Sequence, residues 1–296
     1  MSPRTLSVRL NARLGNQMFE YAFARALSLQ MGIDRCYMVG SDTNRLDCFA
    51  LSEHIFFSSN YPSFSWITRF ASRIMGKLAA IFAQKPKLLY HIEQILQPFA
   101  NLCGVHFCLD GYLRPQRSLL KANHLYCSGY FQSERYFFNH SDVIRRDFTF
   151  LPFVTEPCEF WANQIRTCNS VCLHVRLGDF LTLPQYHVCD ADYYQRAIAL
   201  MRLQQPDAHF FLFSDEPDRA IRLIHVPDVT IIPSTLTDQQ SLYLGTLCHH
   251  HILSNSSFSW WMQYLAHHPT QIVIAPRRWM NDDTPISLYQ PHWLTI

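Results

Sequence analysis

The sequence predicts an α/β protein of two domains, each built on a parallel sheet, and three observations carry that expectation. From residue 170 to residue 275 short apolar runs alternate with helical patterns, as strands do when they lie parallel beneath helices on both faces. The start of the chain shows the same unit once, as a strand, a glycine-bearing turn and a helix. Between these parts, Pro152 and Pro157 interrupt the pattern. A length of 296 residues suits two domains of roughly 100 to 200 residues each, assigned here as 1–155 and 156–296.

Taken in order, Leu6-Ser7-Val8-Arg9-Leu10 reads as a strand and Arg13-Leu14-Gly15-Asn16-Gln17 as the turn after it. The helix that follows has Met18, Tyr21, Ala22, Ala26 and Leu29 at spacings of three and four, and Gly32 can end it. Its first turn would offer free backbone N–H groups to whatever lies in front of it. Residues 54–92 contain no acid, while Arg69, Arg73 and Lys77 recur beside Ile67, Phe70, Ile74, Leu78 and Ile81. That spacing makes a basic amphipathic helix over 66–82. It can pack on the first domain, or rest on an anionic membrane with Trp66 and Phe70 at headgroup depth. The second half reads as strand 171–175, helix 192–204, strand 209–213, helix 217–224, strand 229–232, helix 239–248, strand 250–253, helix 257–266 and strand 271–275.

Composition excludes several classes. With 48% hydrophobic and 16% charged residues the chain is an ordinary globular protein, although 14% aromatic is rich. A net charge of +2 makes no case for nucleic-acid binding. The opening residues lack the apolar core of a signal peptide, and no uninterrupted run is long enough to cross a bilayer. The ten cysteines are therefore expected to sit reduced in a cytoplasm. Cys103 and Cys108, or Cys168 and Cys172, lack zinc-knuckle spacing and read as core thiols. His249-His250-His251 cannot all grip one ion, because neighbours on a strand point to opposite faces, which leaves one to face a ligand. Asp190 and Asp192 have the spacing of a cation-binding pair but directly precede a helical pattern, where an N-cap and a first-turn acid explain them.

Three segments carry candidate chemistry. His174-Val175-Arg176-Leu177-Gly178-Asp179-Phe180 sets an arginine where a buried strand meets its loop, with Gly178 free to turn sharply. A guanidinium there suits a phosphate or carboxylate; an ion pair between Arg176 and Asp179 closing the strand end is the other reading. Ser214-Asp215-Glu216-Pro217 places a carboxylate at the end of the next strand, where it can accept from a base N–H or a ribose hydroxyl, or cap the following helix. Ser254-Asn255-Ser256-Ser257-Phe258-Ser259-Trp260-Trp261 puts hydroxyls between a strand and a helix, as a phosphate cradle or as a cap above two core tryptophans.

Taken together, the block 13–22, Gly129-Tyr130-Phe131-Gln132-Ser133-Glu134, the His174 motif, Asp190–Tyr194, Ser214-Asp215, the block 254–261 and Ile274-Ala275-Pro276-Arg277-Arg278-Trp279 resemble, in order, the signature of the α-1,2-fucosyltransferases. The resemblance implies an inverting, metal-independent GT-B enzyme with two Rossmann-like domains facing a cleft. GDP-fucose would be held mainly by residues 156–296, with the acceptor on the side of 1–155. It maps the essential arginine to Arg176, on the donor pyrophosphate, with His174 and Asp179 as the motif histidine and acid. Gly15 and Asn16 map to the glycine turn facing the donor, Asp215 to nucleotide recognition, and Ser256, Ser257 and Phe258 to the phosphate and base cradle. Two departures stand out. Leu177 occupies the place of a second arginine, and Ala12-Arg13 that of a glycine pair.

The resemblance also implies a reaction. Fucose would leave GDP-β-L-fucose through an oxocarbenium-like state, and Arg176 with helix N-termini would balance the charge on the diphosphate. No cofactor or metal is implied. The 2-hydroxyl of a terminal galactose would attack, its proton taken by Asp179, His187 or Glu20, giving an α-1,2 linkage on an oligosaccharide that can be lipid-linked. Cytoplasmic residence, peripheral to the inner face of the plasma membrane, matches bacterial enzymes that build surface polysaccharide. The alternatives are a fucosyltransferase of another linkage or acceptor, a non-catalytic GDP-sugar-binding protein, and a metal-dependent GT-A enzyme using Asp190 and Asp192.

Overall fold

The computed structural model describes residues 4–40, 44–59, 74, 77, 86–102, 104–108, 122–152, 155–226, 228–266, 268–281 and 288–296, although not the side chains of residues 86, 87, 89, 179 and 181. The chain divides into two compact units, Met1–Thr149 and Phe150–Ile296.

Unit 1 runs β1 (Thr5–Arg9), α1 (Leu14–Met31), β2 (Arg35–Val39), β3 (Ile55–Ser58), α2 (Pro86–Leu102), β4 (Val105–Cys108), β5 (His124–Cys127) and α3 (Ser141–Asp147). Its strands pair in parallel in the order β3-β2-β1-β5-β4. Helix α1 begins at Leu14, earlier than the expected turn over 13–17 allows. The extended Arg13 is its N-cap, and the N–H groups of Asn16 and Gln17 already donate to the Arg13 carbonyl at 3.0 and 3.1 Å. Gly15 and Asn16 therefore lie in the first helical turn. The sharp reversal falls instead on Ala12, at φ 60°. Gly32 ends α1 in the left-handed region, with Ile33 N–H returning to Ser28 O at 2.8 Å.

Strands β2 to β5 did not stand out in the sequence, because they are short and the histidines of β4 and β5 are buried rather than solvated. His124 shows how such a residue is kept: its Nδ1 lies against Thr5 Oγ1, and burial lowers its pKa to about 4. Helix α2 was also missed, its interior Pro98 masking the pattern. The basic segment 66–82 lies almost wholly outside the described residues; only Ile74 and Lys77 are described, both helical and exposed.

Unit 2 runs α4 (Glu156–Arg166), β6 (Ser170–Val175), α5 (Ala191–Gln204), β7 (His209–Ser214), α6 (Pro217–Ile224), β8 (Val229–Ile231), α7 (Asp238–Leu247), β9 (His250–Ile252), α8 (Ser257–Leu265), β10 (Val273–Ala275) and β11 (Leu294–Thr295). These strands are again parallel, ordered β11-β10-β9-β6-β7-β8. The strand and helix alternation expected over 170–275 is present with small shifts at the ends, and two-residue β11 was too short to show a period. The core gathers Val171, Leu173 and Val175 of β6, Tyr194, Ile198 and Met201 of α5, and Ala220 and Ile224 of α6. A Cβ on Gly245 would come within 2.6 Å of the Met262 side chain, so that glycine permits the close packing of α7 on α8.

The histidine triplet corrects one expectation, since each member meets a protein group. His249 Nδ1 lies 3.4 Å from Ser170 N, His250 Nδ1 accepts from Ile272 N at 3.0 Å, and His251 Nε2 donates to the Gly245 carbonyl at 3.0 Å. The described cysteines are free thiols, most of them buried.

Burial holds His124 at about 4, and His174 and His251 at about 3. Each is neutral in the folded chain at a pH where the unfolded chain, near 6.5, already binds a proton. Their contribution is therefore complete above pH 6.5 and is lost as pH falls toward 4, by about 1.4 kcal/mol per unit for each histidine. Urea denaturation at pH 7.5, 6 and 5 should show this decline, steeper for unit 2, which holds two of the three. A profile flat over that range would contradict it.

Candidate active site

The sheet of unit 2 sets the location. From β6 the chain moves outward through β7 to β8, then returns to the other side of β6 with β9. Strand order thus reverses between β6 and β9, and loops leaving the carboxyl ends there diverge to open a crevice, the usual ligand position in such sheets. The His174 motif leaves β6, Ser214-Asp215 leaves β7, and the serine block leaves β9.

The pleat of β6 decides which of its side chains share a face of the sheet. Val171, Leu173, Val175 and Leu177 all belong to the apolar core, so the alternate residues Cys172, His174 and Arg176 point to the other face. Leu177 is only 5% exposed. Position 177 is thus a core position in this chain, and its leucine is not a vacated ligand contact.

Arg176 is held from two sides. Its Nη1 lies 3.0 Å from Asp215 Oδ2, and its guanidinium stands over the Phe180 ring, 5.6 Å from the centroid. Phe180 in turn stacks on Tyr186, with centroids 4.7 Å apart and planes 18° from parallel. The other Asp215 oxygen, Oδ1, accepts from Leu177 N at 3.0 Å. Asp215 therefore does not cap the following helix; Glu216 occupies that N-cap place, and its N–H donates to Ser214 Oγ at 3.1 Å. Gly178 also differs from expectation. It lies outside the left-handed region, and a Cβ there would collide with Asp215 Oδ2. Asp179 follows in a 3-10 turn, Gly178–Thr182; its side chain lies outside the described residues.

His174 is buried, with Nδ1 2.7 Å from Ser254 Oγ and its ring 5.7 Å from that of Phe258. Burial, and after it the charge of Arg176, lower its pKa to about 3. It presents a neutral imidazole. Ser254 opens the hydroxyl block read in the sequence but has no role of its own there; it follows β9 after Leu253. Ser256 caps α8, its Oγ accepting from Phe258 N at 3.3 Å, and Ser257 and Phe258 begin that helix half-buried. Asn255 donates to the carbonyls of Trp279 at 2.9 Å and Tyr186 at 3.1 Å, binding the surrounding loops together.

The remaining candidates separate from this cluster. His187 is exposed, with its carbonyl accepting from Asn281 Nδ2 at 2.6 Å. Asp190 caps α5 through Tyr193 N at 2.9 Å, and Asp192 pairs with Arg196 at 2.8 Å on the surface, so both acids serve the helix. Among the described residues, no three His, Cys, Asp or Glu side chains form a group able to hold a metal, and no helix is long and apolar enough to cross a membrane.

In unit 1 the blocks 13–22 and 129–134 meet one another. Gln132 Nε2 donates to Asn16 Oδ1 at 2.7 Å, and Phe23 stacks on Phe131 at 3.7 Å. Gly15, in the same helical turn as Asn16, is buried. Glu20 has no exposed surface, and its oxygens accept from Asn11 N at 2.8 Å and Asn11 Nδ2 at 3.1 Å. This carboxylate latches the turn that Ala12 makes, while Gln17 Nε2 holds the Ala12 carbonyl at 3.1 Å.

Comparison with known proteins completes the picture. The family model described as glycosyl transferase family 11 matches residues 107–296. An alpha-1,2-colitosyltransferase of Escherichia coli is 27% identical over 289 residues, spanning 92% of this chain and 91% of that one. The O-antigen biosynthesis glycosyltransferase WbnK of Escherichia coli is 25% identical, spanning 97% and 99%. The mouse galactoside alpha-(1,2)-fucosyltransferase 1 is 24% identical over 64% of this chain and 56% of its own length. Among solved structures, the fucosyltransferase NodZ from Bradyrhizobium superposes with a TM-score of 0.56 at 14% identity, covering 92% of this chain and 96% of that one. NodZ alpha-1,6-fucosyltransferase co-crystallized with GDP gives 0.55 at 14%, covering 93% and 96%. At such identity the likeness is one of fold. Together these findings define a glycosyltransferase of α/β GT-B architecture. The chain belongs to glycosyl transferase family 11.

Two substitutions test this geometry. Leu177→Arg, which restores the second arginine of the resemblance, should destabilise unit 2 by about 3 kcal/mol, because it drives a charge toward the core; a gain in activity without loss of stability would refute the core assignment. Ala12→Gly should stabilise unit 1 by about 1 kcal/mol, since a left-handed alanine costs about 1–2 kcal/mol and the added freedom of the unfolded chain returns part of it. Chemical denaturation measures both.

Proposed function

We propose that this chain transfers L-fucose from GDP-β-L-fucose to the 2-hydroxyl of a terminal galactose, with inversion, forming an α-1,2 linkage on an oligosaccharide acceptor. The observation that carries the reading is Arg176, braced by Asp215 and Phe180 at the carboxyl end of β6, beside the hydroxyl-lined start of α8. A guanidinium and a helix N-terminus together suit a diphosphate. The names of the mouse galactoside alpha-(1,2)-fucosyltransferase and of NodZ, crystallised with GDP and soaked with GDP-fucose, support this choice of donor. In this reading unit 2 binds the donor and unit 1 serves the acceptor.

As the bond from fucose C1 to the β-phosphate oxygen breaks, negative charge gathers on the departing GDP and positive charge on the sugar ring. Arg176 and the N–H groups that open α8 stabilise the diphosphate without a metal. The galactose hydroxyl attacks C1 from the opposite face, converting the β-linked donor to an α-fucoside, and its proton passes to a base. Asp179 and His187 remain the proposed groups, whereas Glu20 is engaged in the latch of unit 1. Neutral His174 can position the donor through hydrogen bonds without adding charge. The similarity to an alpha-1,2-colitosyltransferase makes a related deoxy sugar the second donor to consider.

Arg176→Ala should retain its circular-dichroism spectrum and lose at least 10²–10³-fold in kcat, and a chelator should leave the wild-type rate unchanged. Full activity in the variant, or a strict need for added divalent ion, would overturn the mechanism. Turnover of GDP-fucose and of GDP-activated colitose against a panel of galactosides, with product linkage determined by NMR, tests donor, acceptor and linkage together.

A further inference from the structure

We infer that Asp215 is a positioning residue that aims Arg176, and that Gly178 is a glycine because the Asp215 carboxylate occupies the space a side chain would need. The inference rests on the proposed function, in which Arg176 meets the donor diphosphate, and it replaces the nucleotide-recognition role that the family resemblance assigns to Asp215.

The register of the sheet brings these groups together. Val175 pairs with Ser214 across β6 and β7, so the next residue on each strand, Arg176 and Asp215, leaves its strand side by side. Both carboxylate oxygens then turn toward the β6 loop. Oδ2 receives Arg176 Nη1 at 3.0 Å and Oδ1 receives Leu177 N at 3.0 Å. Gly178 completes the contact, since a Cβ on it would strike Oδ2. Three consecutive residues thus fit around one carboxylate. To read guanine, the same carboxylate would have to present both oxygens edge-on to the ring N–H and the exocyclic amine. Here each of those oxygens already takes a donor from the β6 loop.

The consequence for catalysis follows from the chemistry of arginine. A guanidinium on a long side chain has many rotamers, and a fixed carboxylate beside it selects one. Asp215 also offsets the charge of Arg176, so its removal leaves the site more positive while releasing the aim. Ground-state attraction for the donor should then hold or grow, and the loss should fall on the step in which charge develops.

The test measures kcat and KM for GDP-fucose and for its inosine analogue, which lacks the exocyclic amine, in wild type, Asp215→Asn and Gly178→Ala. Asp215→Asn keeps an acceptor for Leu177 N–H and removes the charge. Gly178→Ala leaves the carboxylate chemically intact and displaces it, so it reports the same effect if the first variant folds poorly. In both, kcat should fall by about 10–100-fold, the usual effect of losing an orienting partner, with KM for the donor unchanged or lower and the preference for guanine over hypoxanthine retained. An unchanged kcat overturns the inference. So does a raised KM together with lost base preference in Asp215→Asn, which would make Asp215 a base reader. A wild-type protein that turns over neither donor overturns the proposed function itself, a result distinct from either.

Discussion

The reversal of strand order between β6 and β9 is the constraint on which the candidate site depends. Parallel strands carry all their carboxyl ends to one edge, and crossovers of one hand then leave a gap only where the winding direction changes. In unit 2 that gap lies beside the strand bearing His174 and Arg176. Residues more than 70 positions apart, His174 and Ser254, come within 2.7 Å because their strands are neighbours there. In unit 1 the order reverses between β1 and β5, and the loops leaving those strands carry the two blocks joined by Asn16 and Gln132. One topological rule, applied twice, thus gathers the motifs of each unit.

Within unit 2 the alternation of β6 sorts charge from apolar surface. One face of the strand runs Val171, Leu173, Val175, Leu177 into the apolar core, and the other carries Cys172, His174 and Arg176. Each polar group on that second face is provided for separately: buried His174 stays neutral against Ser254, and Arg176 has its charge matched by Asp215. Matching matters because an unpaired charge at a half-buried strand end would favour structures that expose it. The balanced pair stays in place.

Much of this was legible in the sequence, and what was not has a physical cause. The alternation from 170 to 275 is long and strongly apolar, so the architecture of unit 2 could be read from periodicity. Strands such as Val105–Cys108 and His124–Cys127 could not, since four residues give no period and a buried histidine looks like a surface one until its partner Thr5 is known. At the site, Arg176 could be read from its residue type and position. The role of Gly178 could not, because the atom that excludes a side chain belongs to Asp215 on the next strand. Leu177 could be read, since the pleat from Val171 onward already assigns it to the core, in keeping with a packing role at the place of a second arginine.

Ala12 shows how the same demand can be met at different cost. The exit from β1 requires a left-handed residue, and glycine would supply it with little strain. With alanine there, the turn is held by outside ties: the buried Glu20 grips Asn11 through both oxygens, and Gln17 holds the Ala12 carbonyl while its Oε1 accepts from Arg45 N at 3.0 Å. A carboxylate without exposed surface is itself costly unless hydrogen-bonded. The strained backbone supplies donors for it, and the carboxylate fixes that backbone. Each supports the other, which explains why a glutamate that the sequence offers as one of three candidate bases is, in the folded chain, part of the scaffold behind the first turn of α1.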